Sequence, residues 1–333
     1  GWVDIEGGIG TLFAYSSRGR REFPDETFHV DGPTEPLSKG GTFVGRHICV
    51  PLEGVAVHIN AFNFPVWGML EKLAPTLLAG VPAIVKPATI TSFLTEAVFA
   101  GMIESGILPA GSVQLLCGSA GDLLDHLDEQ CAVALTGSAA TGQLLKQMPA
   151  LMRNSVRFNC EADSLNFSML GPDAAPGTEE FDLFIKEVAN EMTTKAGQKC
   201  TAIRRTIVPE AMLEDVQRAL ARRLGGTVIG DPAVEGVRMG PLAGRAQVGE
   251  VRQAVDAIAR DAALVFGALD GLHVTGADAT KGAFFPILLF ASNDPWHRTA
   301  PHDIEAFGPV NTLMPYASLD EAIALAKRGR GSL

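Results

Sequence analysis

Short apolar runs alternate with amphipathic stretches from Val55 to about residue 150. The apolar runs predict buried strands at residues 55–59, 83–85, 113–116 and 132–135. Apolar residues at helical spacing predict the intervening helices at residues 67–78, 95–105, 123–127 and 143–148. This alternation indicates a parallel sheet covered by helices on both faces, so the predicted fold class is α/β.

A second α/β region is predicted to begin near Ser164. Its pattern predicts helices at residues 181–194, 212–224 and 320–327, and strands at residues 203–208, 263–266 and 285–290. Residues 1–40, by contrast, are rich in Gly, Ser and Pro. We expect mostly irregular structure there, with a helix near the start and a strand following at residues 42–50.

The composition is ordinary for a globular enzyme, because 47% of the 333 residues are hydrophobic and 20% are charged. A formal net charge of -11 argues against a nucleic acid or an anionic membrane as a partner. The longest apolar stretch, residues 73–85, contains two prolines and is too short to span a bilayer.

Five cysteines are scattered without CxxC spacing, and the seven histidines show no metal-ligand spacing, so no metal site is predicted. Scattered thiols are typical of a reducing compartment, and we expect a cytoplasmic protein. The chain begins with Gly1 rather than Met and stops at Leu333, just after a helical pattern. We therefore expect it to be a piece of a longer polypeptide.

Cys200 stands between a predicted helix and a predicted strand, and Gly197 supplies a helix stop signal before it. A side chain on such a connection is displayed rather than buried. Nearby cations favour the thiolate, the reactive form of cysteine, and here they are Lys195, Lys199, Arg204 and Arg205. The alternative is a small buried side chain. We interpret the two arginines as solvated surface residues rather than ligands of substrate phosphates.

Three polar groups follow predicted strands of the first region. The amide of Asn63 can donate to an oxyanion, and Lys86 can bind a ribose or a phosphate at a strand end. Ser138 can cap a helix whose N-terminus holds a pyrophosphate. Taken singly, a turn-forming Asn, a solvated Lys and an ordinary capped helix explain these residues equally well.

Two carboxylates complete the candidate set. Glu161 follows a predicted strand and can act there as a general base on water. Glu305 and Phe307 precede another predicted strand, where the carboxylate can hold ribose hydroxyls and the ring can pack on a nicotinamide. A surface acid and a Gly-Pro loop are the ordinary alternatives for each alone.

In combination and order, these motifs resemble the aldehyde dehydrogenase superfamily over about residues 55–333. The matching runs are AFNFP at 61–65, VKPA at 85–88, TGSAATG at 136–142, GQKC at 197–200 and EAFGPV at 305–310. Within the superfamily, the chain is most similar to the CoA-linked semialdehyde dehydrogenases of aromatic ring degradation, in the phenylacetate and benzoyl-CoA pathways. That closer match rests on residues 7–13, 58–65, 117–126 and 161–165.

The resemblance implies that Cys200 is the nucleophile, Asn63 the oxyanion donor and Glu161 the general base. It implies that Glu305 binds the nicotinamide ribose. The further cofactor contacts that it implies come from Phe62, Lys86, Thr89, Ser138, Thr141 and Phe307.

The implied architecture is a Rossmann-like cofactor domain plus an α/β catalytic domain, with part of a β-hairpin oligomerisation element. We expect the dinucleotide-binding domain at residues 1–35 and 54–163, the hairpin at 36–53 and an incomplete catalytic domain at 164–333. Family members continue well past this point, so a C-terminal truncation is expected. The full-length protein is expected to be a homodimer.

Three departures from the family pattern matter. The usual Glu-Leu-Gly-Gly run is Glu-Ala-Asp-Ser at residues 161–164, and the Trp that often precedes the oxyanion Asn is Phe62. Thr89 stands where NAD-preferring members carry an acidic residue, three positions after Lys86. A carboxylate there would bind the ribose 2′-hydroxyl and repel a 2′-phosphate. We therefore predict NADP as the cofactor, with NAD as the alternative.

The favoured hypothesis is oxidation of a small-molecule aldehyde, a CoA-linked semialdehyde, to the carboxylic acid. A second hypothesis is an acylating enzyme that passes the thioester to free CoA. Such enzymes generally lack the general base, so Glu161 counts against it. A third hypothesis is a nucleotide-binding domain of a larger protein, without turnover.

Overall fold

The computed structural model describes residues 2–330, which divide into two compact units, Gly1–Ala162 and Asp163–Leu333. The predicted division into a dinucleotide-binding domain, a hairpin and a catalytic domain remains a prediction. The biochemical roles assigned to the two domains remain predictions.

The first unit opens with helix α1 (Trp2–Glu22). A helix was expected near the start, but α1 extends over much of the region where irregular structure was expected. Its glycines allow close packing against helix α2 (Trp67–Leu78): a Cβ on Gly7 would overlap the ring of Trp67. This tertiary contact stabilises a helix that intrinsic glycine propensity disfavours. The buried Asp4 carboxylate also accepts the backbone N–H of Trp67 at 2.8 Å, at the start of α2.

An antiparallel hairpin follows, formed by β1 (His29–Pro36) and β2 (Val44–Cys49). It begins at residue 29, so the prediction that it starts at residue 36 was wrong. The preceding segment pairs with β2 along nearly its whole length, a long-range register that the Gly- and Pro-rich sequence does not reveal. Several large apolar side chains of this region are exposed, namely Leu37, Phe43, Val44, Ile48 and Val50.

The core of the first unit is a five-stranded parallel sheet. Its strands are β3 (Ala56–Ile59), β4 (Ala83–Lys86), β5 (Val113–Leu115), β6 (Ala132–Gly137) and β7 (Arg157–Ala162). They lie in the order β5-β4-β3-β6-β7. The first strand of this sheet along the chain, β3, is therefore central, and the order of the strands reverses between β3 and β6. This is the Rossmann order, in which ligands bind beyond the carboxyl ends of the strands at the reversal.

The remaining helices of this unit confirm the alternation but shift its boundaries. They are α3 (Ser92–Glu104), α4 (Ala139–Lys146) and the short α5 (Pro149–Arg153). Helix α4 begins four residues before the predicted start at residue 143, because Ser138 caps it. The helix predicted at residues 123–127 is a single 3₁₀ turn, Leu123–His126.

The second unit contains a five-stranded mixed sheet in the order β10-β11-β12-β9-β8. The strands are β8 (Phe167–Met169), β9 (Arg205–Pro209), β10 (Ala263–Phe266), β11 (Leu288–Ala291) and β12 (Val310–Tyr316). All neighbours are parallel except β10 and β11. Strands β9 and β11 are buried at every residue, as expected for strands covered on both faces.

Helices α6 (Glu179–Thr193), α7 (Leu213–Gly225), α8 (Arg245–Ile258), α9 (Ala300–Asp303) and α10 (Leu319–Lys327) belong to this unit. Helix α8 was not predicted, although Val251, Val255 and Ile258 recur at helical spacing and are buried. Within residues 2–330, no helix is both long and apolar enough to cross a membrane.

Candidate active site

Parallel strands of the first unit bring seven predicted residues to one edge of its sheet. Ile59 of β3 pairs with Lys86 of β4 and with Leu135 of β6, so the ends of these strands lie at a common level. The residues at or just beyond the carboxyl ends of the strands are Phe62, Asn63, Lys86, Thr89, Ser138, Thr141 and Glu161. The sheet thus places these seven side chains at the edge where Rossmann sheets bind ligands.

Ser138 opens helix α4 directly after β6. Its hydroxyl accepts the backbone N–H of Thr141 at 3.2 Å and lies 3.0 Å from the Thr141 hydroxyl. The positive end of the α4 dipole therefore sits beside two exchangeable hydroxyl groups at the end of the sheet, an arrangement suited to phosphate.

Lys86 and Thr89 follow one another on the neighbouring strand end. Lys86 is the last residue of β4 and is partly buried, whereas Thr89 is exposed and begins a 3₁₀ turn, Thr89–Thr91. The backbone carbonyl of Thr89 accepts the Ser92 hydroxyl at 2.9 Å, which fixes the turn. The side chain at position 89 is therefore accessible to a ligand from solvent.

Asn63 is 9% exposed and lies between β3 and α2, next to Phe62. Glu161 lies within β7, where it pairs with Thr136 of β6. The expectation that Glu161 follows its strand was therefore wrong by two residues, because the ladder with β6 continues to Ala162.

In the second unit, Cys200 lies on a turn between α6 and β9, partly exposed. The backbone reaches this turn through three consecutive left-handed residues, Lys195, Ala196 and Gly197, whose φ angles are 54°, 52° and 70°. The helix stop predicted at Gly197 lies earlier, because α6 ends at Thr193 and the left-handed segment begins at Lys195. Such conformations are rare for residues other than glycine and concentrate at functional sites.

Gly197 touches the loop that carries the other predicted residues of this unit. A Cβ at position 197 would overlap the backbone carbonyl of Gly308. This close approach brings the Cys200 turn against the loop that contains Glu305 and Phe307 and excludes any larger residue at position 197.

Arg204 holds these two segments together. Its Nε donates to Glu305 Oε1 at 3.2 Å, and its terminal nitrogens donate to the backbone carbonyls of Gly308 and Gly197, both at 2.8 Å. The guanidinium also lies 5.3 Å from the centre of the Phe307 ring, within cation–π range. With 5% of its surface exposed, Arg204 is a buried connector.

Burial lowers the pKa of the Arg204 guanidinium, and the charges of Glu305, Glu191 and Cys200 oppose that shift. Burial likewise raises the pKa of Glu305, against the opposing charge of Arg204. Arginine stays protonated in proteins, so a positive charge remains close enough to Cys200 to attract its thiolate.

The other cations near Cys200 in sequence have different roles. Lys199 forms an ion pair with Glu191, with 2.6 Å between Nζ and Oε1. Arg205 is fully buried and donates to the backbone carbonyls of Leu325 and Ala326 at the end of α10. The interpretation of Arg204 and Arg205 as solvated surface residues was therefore wrong, because both side chains bind backbone carbonyls from distant segments.

Asn166 contacts the Cys200 turn and Ser164 contacts Asn166, although no motif in the sequence assigned either residue a role. The amide of Asn166 donates to the backbone carbonyl of Cys200 at 2.6 Å, and the hydroxyl of Ser164 donates to Asn166 Oδ1 at 2.6 Å. The backbone N–H of Ser164 in turn donates to Glu305 Oε2 at 3.0 Å. The only local signal for them is their position shortly after Glu161.

Glu305 thus has partners for both carboxylate oxygens within its own unit, and its side chain is 8% exposed. Each oxygen keeps a further lone pair that can accept a ligand hydroxyl. Its role as a ribose ligand remains a prediction.

The first unit has a sheet with the Rossmann strand order, and the second α/β unit carries Cys200 on a turn held by hydrogen bonds. Both features agree with the family that sequence comparison finds. The aldehyde dehydrogenase family matches residues 12–331, and the chain belongs to this family.

The relatives make the likeness more specific. The chain is 45% identical over 331 residues to 3,4-dehydroadipyl-CoA semialdehyde dehydrogenase of Aromatoleum evansii, covering 99% of this chain and 64% of the relative. It is 29% identical over 280 residues to α-ketoglutaric semialdehyde dehydrogenase of Bacillus subtilis, covering 83% of this chain and 55% of the relative.

Solved structures share the fold. Betaine aldehyde dehydrogenase from Staphylococcus aureus, solved with NAD⁺, aligns with a TM-score of 0.82 at 24% identity, over 98% of this chain and 61% of that one. Succinic semialdehyde dehydrogenase from Streptococcus pyogenes, solved with NADP⁺, aligns with a TM-score of 0.79 at 21% identity, over 97% and 65%. The chain therefore spans less than two thirds of the length of these relatives.

Proposed function

We propose that this chain supplies the cofactor-binding and nucleophile-bearing parts of a dehydrogenase that oxidises a CoA-linked semialdehyde to its carboxylic acid with NADP. The observation that carries the proposal is the Cys200 turn. A partly exposed cysteine follows a left-handed backbone segment, and buried Arg204 fastens that segment to the loop of Glu305 and Phe307.

The residues of the first unit fit a nicotinamide dinucleotide. The α4 N-terminus with Ser138 and Thr141 suits a pyrophosphate, and Lys86 at the adjacent strand end suits a ribose or phosphate. In the second unit, the Glu305 carboxylate and the Phe307 ring are residue types that suit the nicotinamide ribose and ring. When bound, the oxidised cofactor accepts the hydride that leaves the aldehyde carbon.

Cys200 begins the chemistry as the thiolate, which attacks the aldehyde carbon. A C–S bond forms, and the carbonyl π electrons move to oxygen as an oxyanion that Asn63 stabilises. A donor of this kind typically contributes about 10²–10³ in rate. Loss of the hydride leaves a thioester on Cys200.

Glu161 then takes a proton from water, and the resulting hydroxide attacks the thioester carbon. The C–S bond breaks, the carboxylic acid leaves, and Cys200 returns to the thiolate. In sum, aldehyde, water and oxidised cofactor yield carboxylic acid, reduced cofactor and a proton.

Two observations support the finer assignments. The relative from Aromatoleum evansii, named for a CoA-linked semialdehyde, is 45% identical, which supports that substrate class. Exposed Thr89 stands three positions after Lys86 and carries no charge to repel a 2′-phosphate, which supports NADP.

The test is reduction of NADP and of NAD by the full-length protein, with CoA-linked and simple semialdehydes, followed by absorbance of the reduced cofactor. We expect turnover with a CoA-linked semialdehyde and NADP, and we expect Cys200→Ala to abolish it while nucleotide binding survives. Activity in Cys200→Ala would disprove the assignment of Cys200 as the nucleophile. Formation of acyl-CoA only when free CoA is added would favour the acylating reaction instead.

Cofactor choice has its own test in Thr89→Glu. A carboxylate at this accessible position should lower kcat/KM for NADP relative to NAD, because it repels a 2′-phosphate. Thr89→Gln is the matched control, since it adds the same bulk without charge. An unchanged ratio in Thr89→Glu would contradict the assignment of NADP.

We also propose that the β1–β2 hairpin pairs subunits in a homodimer. Five large apolar side chains are exposed within residues 37–50, among them Phe43 (63% exposed) and Ile48 (58%), and this concentration of exposed apolar residues supports the role. Ile48→Asp should yield a monomer in light scattering of the full-length protein. A dimer of unchanged stability would place the interface elsewhere.

A further inference from the structure

We propose that Asn166 and Ser164 are positioning residues for Cys200. The Asn166 side chain holds the backbone of the Cys200 turn, and the Ser164 hydroxyl holds the Asn166 amide in the orientation that does so. This inference rests on the proposed role of Cys200 as nucleophile.

Asn166 contacts the turn at both of its ends. Its Nδ2 donates to the backbone carbonyl of Cys200 at 2.6 Å and to that of Ala202 at 3.4 Å. Its backbone carbonyl accepts the N–H groups of Arg204 and Arg205 at 3.0 and 3.1 Å. One residue of the neighbouring segment thus spans residues 200–205, so the backbone at Cys200 cannot shift without breaking contacts to Asn166.

The chemistry of the partners fixes the orientation of the amide. The carbonyls of Cys200 and Ala202 are acceptors only, so the NH₂ group of Asn166 must face them. Its Oδ1 then faces Ser164, whose hydroxyl donates to it at 2.6 Å. Both side chains are buried, with Ser164 3% and Asn166 8% exposed, so water does not compete readily for these bonds.

Ser164 is itself anchored to the loop of the proposed ribose ligand, because its backbone N–H donates to Glu305 Oε2 at 3.0 Å. A continuous set of bonds therefore runs from the Glu305 carboxylate through Ser164 and Asn166 to the carbonyl of the proposed nucleophile. Arg204 also connects the two ends of this set, because it donates to the Glu305 carboxylate and to the backbone carbonyl of Lys199, next to Cys200.

Positioning of this kind acts on the reacting sulfur rather than on ligand binding. A displacement of about 1 Å at a reacting atom can lower the rate about 10²-fold. Loss of the Asn166 amide leaves the Cys200 carbonyl without this donor and frees the turn to shift. The expected signature is a lower kcat with little change in KM, together with altered reactivity of the thiol towards an alkylating agent.

The experiment compares Asn166→Ala, Ser164→Ala and Ser164→Thr in the full-length protein. It measures kcat and KM for aldehyde oxidation, and the rate of Cys200 alkylation by iodoacetamide against pH, followed by peptide mass. Tyr316→Phe is the matched control, because it removes one buried hydrogen bond of the same unit, from the Tyr316 hydroxyl to the Leu170 carbonyl at 2.7 Å.

We expect Asn166→Ala to lower kcat about 10- to 100-fold and to change the alkylation profile, with KM within about threefold. Ser164→Ala should lower kcat about three- to tenfold, and Ser164→Thr, which keeps the hydroxyl, should restore most of it. Tyr316→Phe should lower the melting temperature but leave kcat and alkylation unchanged. If Asn166→Ala does not fold, Ser164→Ala decides the question, since it leaves the amide in place.

The inference is overturned if Ser164→Ala and Asn166→Ala keep kcat and alkylation at the level of the unmodified protein while Cys200→Ala is inactive; the proposed function then stands. It is also overturned if Tyr316→Phe loses as much kcat as they do. Retained activity in Cys200→Ala is a different result, since it refutes the proposed nucleophile itself.

Discussion

Replacement of Arg204 by methionine is the sharpest test of how the two loops of the second unit are held together. The change keeps an unbranched side chain of similar length but removes the guanidinium. It breaks the bond to Glu305 at 3.2 Å and the bonds to the carbonyls of Gly308, Gly197 and Lys199 at 2.8, 2.8 and 3.3 Å. Glu305 then remains buried without its cation.

The magnitude follows from that orphaned carboxylate. The side chains of the pair are 4% and 8% exposed, so solvent screens them little. Removing one partner of a buried ion pair typically costs about 3–5 kcal/mol. Arg204→Met combined with Glu305→Gln removes the unpaired charge as well, and the remaining loss, from carbonyls left without donors, should fall to about 1–3 kcal/mol.

The assay is urea unfolding followed by far-UV circular dichroism, comparing free energies of unfolding. Arg218→Met is the matched control, because Arg218 pairs with Asp215 at the surface and is 64% exposed. Arg218→Met should lower the free energy of unfolding by no more than about 1 kcal/mol. The reasoning fails if Arg204→Met loses no more than this control, or if the double variant is no more stable than Arg204→Met alone.

Gly197→Ala should lower the free energy of unfolding by more than about 2 kcal/mol and should lower activity. The reason is that the new Cβ would overlap the Gly308 carbonyl, at a residue whose left-handed φ is 70°. A variant as stable as the original protein would contradict this close approach. Burial lowers the pKa of His302 from 6.5 to about 4. As the pH drops from 6.5 towards 4, the unfolded chain therefore takes up the proton first, and the folded state loses stability. His302→Gln should flatten this pH dependence of the melting temperature, and an unchanged slope would refute the assignment to His302. Asp4→Ala should cost about 0.5–2 kcal/mol by uncapping α2 at Trp67, measured by urea unfolding, whereas Asp31→Ala on the exposed hairpin should cost almost nothing.

The candidate residues of the first unit could be grouped from the sequence because most of them lie at or just beyond the ends of strands. Parallel strands end at one edge, so Lys86 and Ser138 could be grouped there from local apolar runs alone. Cys200 could be placed on a connection because α6 ends and β9 begins around it. The roles of these residues came from the resemblance to a family and stay proposals.

Packing decided the extent of helix α1 and of the hairpin, which the local pattern did not reveal. Helix α1 contains four glycines, which disfavour a helix, yet three of them, Gly7, Gly8 and Gly19, allow the close contact with α2 that stabilises it. The hairpin starts at His29 because a long-range register pairs it with Cys49. Neither fact is written in the local sequence.

The sequence by itself determined the α/β alternation and the connection that carries Cys200, since both depend on periodicities within about ten residues. Only the tertiary structure decided what surrounds that cysteine. Arg204 binds Glu305 101 residues away, and Asn166 binds the Cys200 carbonyl 34 residues away. A buried arginine and a surface arginine have the same local signature, and the difference lies in which distant carbonyls and carboxylates the fold brings within hydrogen-bonding distance.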